Sequence, residues 1–232
     1  MAVVTLFHGS VKTIPEPDTK SGNVHNDYGR GFYCTELIDM AREWACKSGT
    51  DGFVNEYLLD YSGLKVLNLS DGKHNVLNWI ALLLKNRTFS VDSAVALNAR
   101  KYIYDHFLID TASYDVIIGY RADDSYFRYA ESFISNTLSV RSLNKALHLG
   151  SLGIQTALVS EKALSQLHYI SSEVVTGDEY YPRFIERDWA ARQLYTYEII
   201  KESNIKEEIF VMDIIREGMD NHDPRLQRIV SE

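Results

Sequence analysis

The hydrophobic positions of this chain recur with two different spacings, and the switches between them divide it into elements. Val3 to Phe7 is a short β-branched and aromatic run, read as a buried strand that ends in His8-Gly9-Ser10. A polar loop containing Pro15 and Pro17 continues to Asp27, and Gly31 to Thr35 reads as a second strand. From Glu36 to Lys47 the period changes. Leu37, Met40, Ala41, Trp44 and Ala45 fall on one face at helical spacing, with Thr35 placed to cap the helix and Gly49 to end it.

Downstream, Phe53 to Leu59 and Leu64 to Leu69 read as strands joined by a turn at Ser62-Gly63. Helices are predicted over Asn75 to Lys85 and Ser93 to Phe107, the second capped by Asp92. Val116 to Gly119 reads as a short central strand, and Asp123 to Ile134 and Leu143 to Leu149 as helices. Ile154 to Val159 is another strand, Ser160 caps a short helix to Leu167, and His168 to Val175 closes the series. After Gly177 the texture becomes charged and helical, with Pro182 expected in a first helical turn. Strands and helices do not alternate regularly, which predicts an α+β fold rather than a doubly wound sheet. Residues 1–175 read as one domain and 176–232 as a helical extension packed on it, because no Gly/Ser linker separates them.

Composition narrows the function classes. The chain has 232 residues, 45% hydrophobic and 24% charged, an ordinary globular balance. A net charge of −8 weakens non-specific attraction to nucleic acid and anionic lipid, although a local basic groove stays compatible with it. Cys34 and Cys46 lie on a predicted strand and the next helix and read as buried, reduced thiols. No C-x-x-C or H-E-x-x-H spacing occurs, so no metal is expected. The start MAVVTLFHGS lacks the pattern of a secretory leader, and the longest apolar run, Trp79 to Leu84, is far below membrane-spanning length. The expectation is a cytoplasmic protein with no membrane partner.

Candidate chemistry concentrates in the first 45 residues: the strand ending in His8-Gly9-Ser10, the run Asp27-Tyr28-Gly29-Arg30-Gly31-Phe32-Tyr33-Cys34-Thr35, and the helix bearing Trp44. Gly29 and Gly31 permit either a sharp turn or close backbone approach to a flat ligand. Asn55, in an otherwise apolar strand, reads equally as facing a cleft or solvent. Asp123-Asp124 reads as helix N-terminal charge, and Lys206-Glu207-Glu208 as a solvated helix face. Stacking of bases on Tyr102, Tyr126, Tyr129, Tyr180 and Tyr181 is the minority alternative on a chain that is net acidic.

The order of these motifs resembles the ADP-ribosyltransferases of the diphtheria-toxin and poly(ADP-ribose) polymerase type. In more detail it is similar to a bacterial family of uncharacterised domains of that superfamily. The likeness continues through Phe53-Val54-Asn55-Glu56-Tyr57, Trp79 to Arg87, Tyr114 to Gly119 and Ala122-Asp123-Asp124. It ends with Ile154-Gln155 and Ser160-Glu161-Lys162-Ala163-Leu164, so it covers about residues 3–170. The resemblance implies a split β-sheet core with surrounding helices, and NAD as co-substrate.

It further implies a role for each matching position. His8 matches a histidine that bonds a ribose hydroxyl of NAD, and Gly9 a glycine whose backbone grips the nicotinamide carboxamide, with Ser10 and Gly31 beside them. Tyr33 matches a tyrosine lining the nicotinamide slot, and Trp44 a second aromatic on the other ring face. His8, Tyr33 and Gln155 form the implied catalytic set. Relatives usually carry glutamate where this chain has Gln155, and poly(ADP-ribose) polymerases a serine where it has Ala41. Glutamine can bond a hydroxyl but supplies neither base nor charge. The implied activity is mono-ADP-ribosyl transfer to a protein or nucleic-acid acceptor, or to water. Family analogy alone adds a toxin or effector role with a cognate inhibitor protein as partner. The alternative is a catalytically inactive NAD- or protein-binding module of the same fold.

Overall fold

The computed structural model describes residues 3–90, 93–122, 124–148, 153–202 and 208–230. Its strands are β1 (Val3–Ser10), β2 (Phe32–Thr35), β3 (Gly52–Asp60), β4 (Val66–Asn68), β5 (Val116–Tyr120), β6 (Ile154–Leu158) and β7 (Leu167–Val175). They form one seven-stranded sheet in the order β4-β5-β6-β2-β1-β3-β7. The pairings are antiparallel except the parallel β4–β5 pair. Around the sheet lie α1 (Ile38–Cys46), α2 (Val76–Asn86), α3 (Ala94–Phe107), α4 (Asp124–Ile134), α5 (Val140–His148), α6 (Glu161–Ser165), α7 (Gly177–Glu202), α8 (Val211–Glu217) and α9 (Pro224–Val230). The fold is α+β, as the irregular order of elements predicts.

The sheet is nearly two sheets. β1 pairs with β3 from Val3 opposite Asp60 to Ser10 opposite Phe53, but meets β2 at one register position, Phe7 opposite Thr35. β2 in turn pairs along its length with β6, from Phe32 opposite Leu158 to Thr35 opposite Gln155. Beyond Phe7 the two halves part, and His8, Gly9 and Ser10 stand across a gap from the start of β2. An inter-strand gap of this kind exposes backbone and side chains of both edges to one hollow.

Three apolar clusters hold the halves. On one face, α2 is buried from Val76 to Leu83 and packs with Phe107, Phe133 and Leu143, as expected of a helix apolar all round. On the other face, Leu6, Phe32, Cys34, Tyr57, Leu59 and Leu158 pack together. A third cluster joins Ala41, Ala45 and Cys46 of α1 to Val54, Val175 and Tyr180. Both cysteines are buried and unbridged, and burial pushes both thiols up.

Several local expectations change. α1 begins at Ile38, and Leu37, expected on its buried face, is 47% exposed. Thr35 Oγ1 accepts from the Leu37 N–H at 3.2 Å, holding the turn that leads into the helix. β3 and β4 follow one another in sequence yet lie far apart in the sheet, because β4 pairs with β5. Ser93 caps α3, its Oγ accepting from the Ala96 N–H at 3.1 Å; Asp92 lies outside the described residues. α5 starts three residues before the predicted Leu143, while Leu149 lies outside the described residues. Asp123, Lys206 and Glu207 are also outside them.

Pro182 is not in the first turn of α7, because the helix already starts at Gly177. There the Gly177 N–H donates to Asp51 Oδ1 at 2.9 Å, so the start is fixed by a carboxylate from a distant turn. α7 is tied to α1 by Arg187 Nε on Glu43 Oε2 at 2.6 Å, both side chains mostly out of water.

Candidate functional site

The gap between β1 and β2 opens into a cleft of about 810 Å³, within the range of small-molecule sites. His8, Gly9, Ser10, Gly31, Tyr33, Trp44 and Gln155 all line it. These positions come from β1, β2, α1 and β6 and from the turn before β2, so the sheet topology brings together residues far apart in the chain.

His8 is the best defined of them. Its Nδ1 lies 2.6 Å from the Tyr33 carbonyl, across the part of the gap where strand pairing has stopped. A carbonyl only accepts, so Nδ1 carries the proton and Nε2 is left as an acceptor. Burial holds the imidazole below its ordinary pKa, partly offset by the Tyr33 carbonyl, which favours this neutral form. The ring is braced against Phe32, with centroids 4.4 Å apart.

The glycines answer to packing. A Cβ on Gly9 would stand 1.9 Å from the Ala41 carbonyl oxygen and 2.6 Å from the Ala45 nitrogen. The bare backbone at residue 9 is thus what lets α1 lie directly on β1. A Cβ on Gly31 would meet the Leu158 carbonyl at 2.8 Å, a contact set by β6.

Tyr33 and Trp44 both line the cleft, but each is already engaged. The Tyr33 hydroxyl donates to the Gly29 carbonyl at 2.7 Å and accepts from the Tyr28 N–H at 3.0 Å; burial raises its pKa. Its ring lies parallel to that of Tyr28 at 6.5 Å. The Arg121 guanidinium covers one face of Trp44, 4.8 Å from the ring centroid, in a cation–π contact. The indole N–H of Trp44 is buried with no hydrogen-bond partner among the described residues.

Gln155, 5% exposed, directs Nε2 to Asp27 Oδ2 at 2.8 Å and to the Tyr120 carbonyl at 3.2 Å. Asp27 is the residue that sequence reading missed. It lines the cleft at 5% exposure and accepts from the Ala122 N–H at 2.8 Å and from Arg87 at 3.0 Å. Burial pushes its carboxyl above the ordinary carboxylate range, opposed first by the Ala122 N–H and then by Gln155, Arg87 and Arg121. Arg87 and Arg121 line the same cleft. No spacing rule marks this group, since its members sit in a turn, at a helix end and after a strand.

Asn55 faces neither the cleft nor solvent. Fully buried, it accepts from the Ile14 N–H and the Ser172 hydroxyl at 2.8 Å each, and its Nδ2 lies 3.1 Å from Ser10 Oγ. Nδ2 also donates to the His8 and Lys12 carbonyls, both at 3.3 Å. It therefore pins the segment after β1 back onto that strand. A further wall comes from α7, whose Phe184, Ile185 and Asp188 reach the cleft.

A mixed α+β fold whose sheet opens into a cleft at its seam defines the class of protein. The particular family follows from comparison: residues 4–169 match the family described as Protein of unknown function (DUF3990), and the chain belongs to it. No curated protein and no solved structure matches the chain. The matched stretch includes every residue of the cleft except those of α7. Among the described residues, no group of three or more His, Cys, Asp or Glu side chains is placed to hold a metal ion. Nor is any helix there long and apolar enough to cross a membrane.

Proposed function

We propose that the cleft binds NAD and that the protein transfers the ADP-ribose group to an acceptor, a macromolecule or water. The observation that carries this reading is convergence. The residues singled out by resemblance to ADP-ribosyltransferases, spread from His8 to Gln155, line one cleft of suitable size. His8 offers Nε2 as an acceptor for a ribose hydroxyl, and the open edge of β1 at Gly9 offers backbone groups for a carboxamide. In the reaction the bond between nicotinamide N1 and ribose C1′ breaks, and its electron pair leaves with neutral nicotinamide. The acceptor's lone pair bonds to C1′, and the acceptor loses its proton to solvent. Positive charge builds on the ribose in between, so the work of the site is positioning and electrostatic support.

Nicotinamide release by purified protein with NAD, in water and with candidate protein and nucleic-acid acceptors, tests this. Release is expected, and His8→Ala should abolish it. No release together with no NAD binding in calorimetry would remove the reading.

One observation favours a second reading, a binding module without turnover: the Arg121 guanidinium occupies a face of Trp44 on which a nicotinamide ring would stack. Tight NAD binding with no nicotinamide release would select it. A toxin or effector role with a cognate inhibitor belongs to the first reading; poor growth on expression, relieved by His8→Ala, is its test.

A further inference from the structure

We propose that Asp27 is a positioning residue that turns Gln155 into an acceptor: it fixes the amide with its oxygen toward the cleft and lends that oxygen negative charge. The inference deepens the NAD reading, but its structural half stands on the hydrogen bonds alone.

The amide orientation is determined by what surrounds it. Gln155 Nε2 has two protons; one points at Asp27 Oδ2, 2.8 Å away, and the other at the Tyr120 carbonyl, 3.2 Å away. Both partners are acceptors. Rotating the amide by half a turn would set its oxygen against a carboxylate and a carbonyl, so only one orientation is allowed. Oε1 is then the amide atom left for the cleft that Gln155 lines. Asp27 cannot swing away, because the Ala122 N–H and Arg87 hold its two oxygens.

The chemistry follows. A hydrogen bond from the amide nitrogen to a carboxylate shifts electron density through the amide onto its oxygen, and such chains strengthen one another in a low-dielectric site. Gln155 then accepts from a ribose hydroxyl as a carboxylate oxygen would. The missing charge sits one residue behind it, in Asp27, where it supports the positive charge of the breaking glycosidic bond.

The test is a charge swap with two readouts. In NAD cleavage, Asp27→Asn should lower kcat about tenfold or more with KM for NAD little changed. The double variant Asp27→Asn/Gln155→Glu, which moves the carboxylate to position 155, should recover most of the loss. Independently of turnover, NMR of the wild-type protein should show both Gln155 side-chain protons slow to exchange, with a coupling across the hydrogen bond to the Asp27 carboxyl carbon. A freely rotating Gln155 amide overturns the inference even if no variant folds. Wild-type turnover unchanged in Asp27→Asn, or not recovered in the swap, overturns it while the NAD reading stands. A locked, coupled amide in a protein that neither binds NAD nor releases nicotinamide removes the NAD reading and supports the positioning role of Asp27.

Discussion

The two walls of the cleft are built by different means. On the β1 side the wall is backbone: the strand edge at His8-Gly9-Ser10 is shaped by α1 lying against Gly9 and by Asn55 holding the segment to Lys12. On the β6 side it is a side-chain network in which Asp27 joins Gln155, Arg87 and the Ala122 N–H. A backbone wall is fixed by packing and tolerates no added volume. A network wall is fixed by paired charges and hydrogen bonds and tolerates no lost partner. The same cleft therefore has two separate points of failure, and substitutions on each side should fail in different ways.

The largest effect is expected on the backbone wall. In Gly9→Ala the new methyl group meets the Ala41 carbonyl and the Ala45 nitrogen, both helix backbone, which cannot rotate away. α1 must lift from β1, at a cost of about 3 kcal/mol, the upper part of the range for overpacking. Urea denaturation measures it. A midpoint equal to that of the wild type would mean that α1 moves freely, and the contrast between the walls would collapse.

This difference also decides how much could be read from sequence. The backbone wall is local: a β-branched strand, His8-Gly9-Ser10 and a helix with small residues on one face leave a visible pattern within 45 positions. The same holds for α2, whose apolar run from Trp79 marks the core. The network wall leaves no pattern. Asp27 sits in a turn, Arg87 at the end of α2 and Arg121 after β5, and nothing in their spacing shows that the sheet gathers them. Asn55 is undecidable from sequence for the same reason, since its partners lie in two distant segments, Lys12 and Ile14 after β1 and Ser172 in β7. Even the start of α7 was hidden, because the carboxylate that caps it is Asp51.

A loss on the network wall should cost less than the clash at Gly9. Arg87→Leu removes the charged partner of a buried carboxylate but leaves Asp27 its bonds from Ala122 and Gln155. About 2 kcal/mol is expected, below the cost of stranding a buried charge completely. A double-mutant cycle with Asp27→Asn should give a clear coupling energy, and simple additivity would show that the network is no more than neighbouring contacts.

α7 forms part of the mouth from outside the family-matched stretch, and the Arg187–Glu43 ion pair ties it to α1 beside the Asp51 bond at its start and the packing of Tyr180. Replacing the carboxylate with Glu43→Gln keeps a neutral hydrogen-bond acceptor for Arg187 and should cost about 1.5 kcal/mol, the margin of a charged over a neutral hydrogen bond, with faster proteolytic cleavage within α7. Unchanged cleavage would assign the anchoring to the apolar contact of Tyr180 in the third cluster.

The smallest effect separates the walls by sign. His8 has a folded-state pKa below its ordinary 6.5, because burial penalises the imidazolium. Above pH 6.5 it is neutral whether the chain is folded or not, and contributes nothing to pH dependence. As pH falls through that value the unfolded chain takes up the proton first, so stability drops until the folded-state pKa is passed. Asp27 has a folded-state pKa above its ordinary 3.8, again through burial. Its window therefore starts at 3.8 and extends upward, and within it the folded chain holds the proton more tightly, so stability drops as pH rises. The slopes oppose one another and partly cancel in the wild type. Urea denaturation from about pH 4 to pH 7 should show His8→Gln losing the rise with pH and Asp27→Asn losing the fall. If both variants changed the slope in the same direction, the two walls would not be the electrostatic opposites that their surroundings make them.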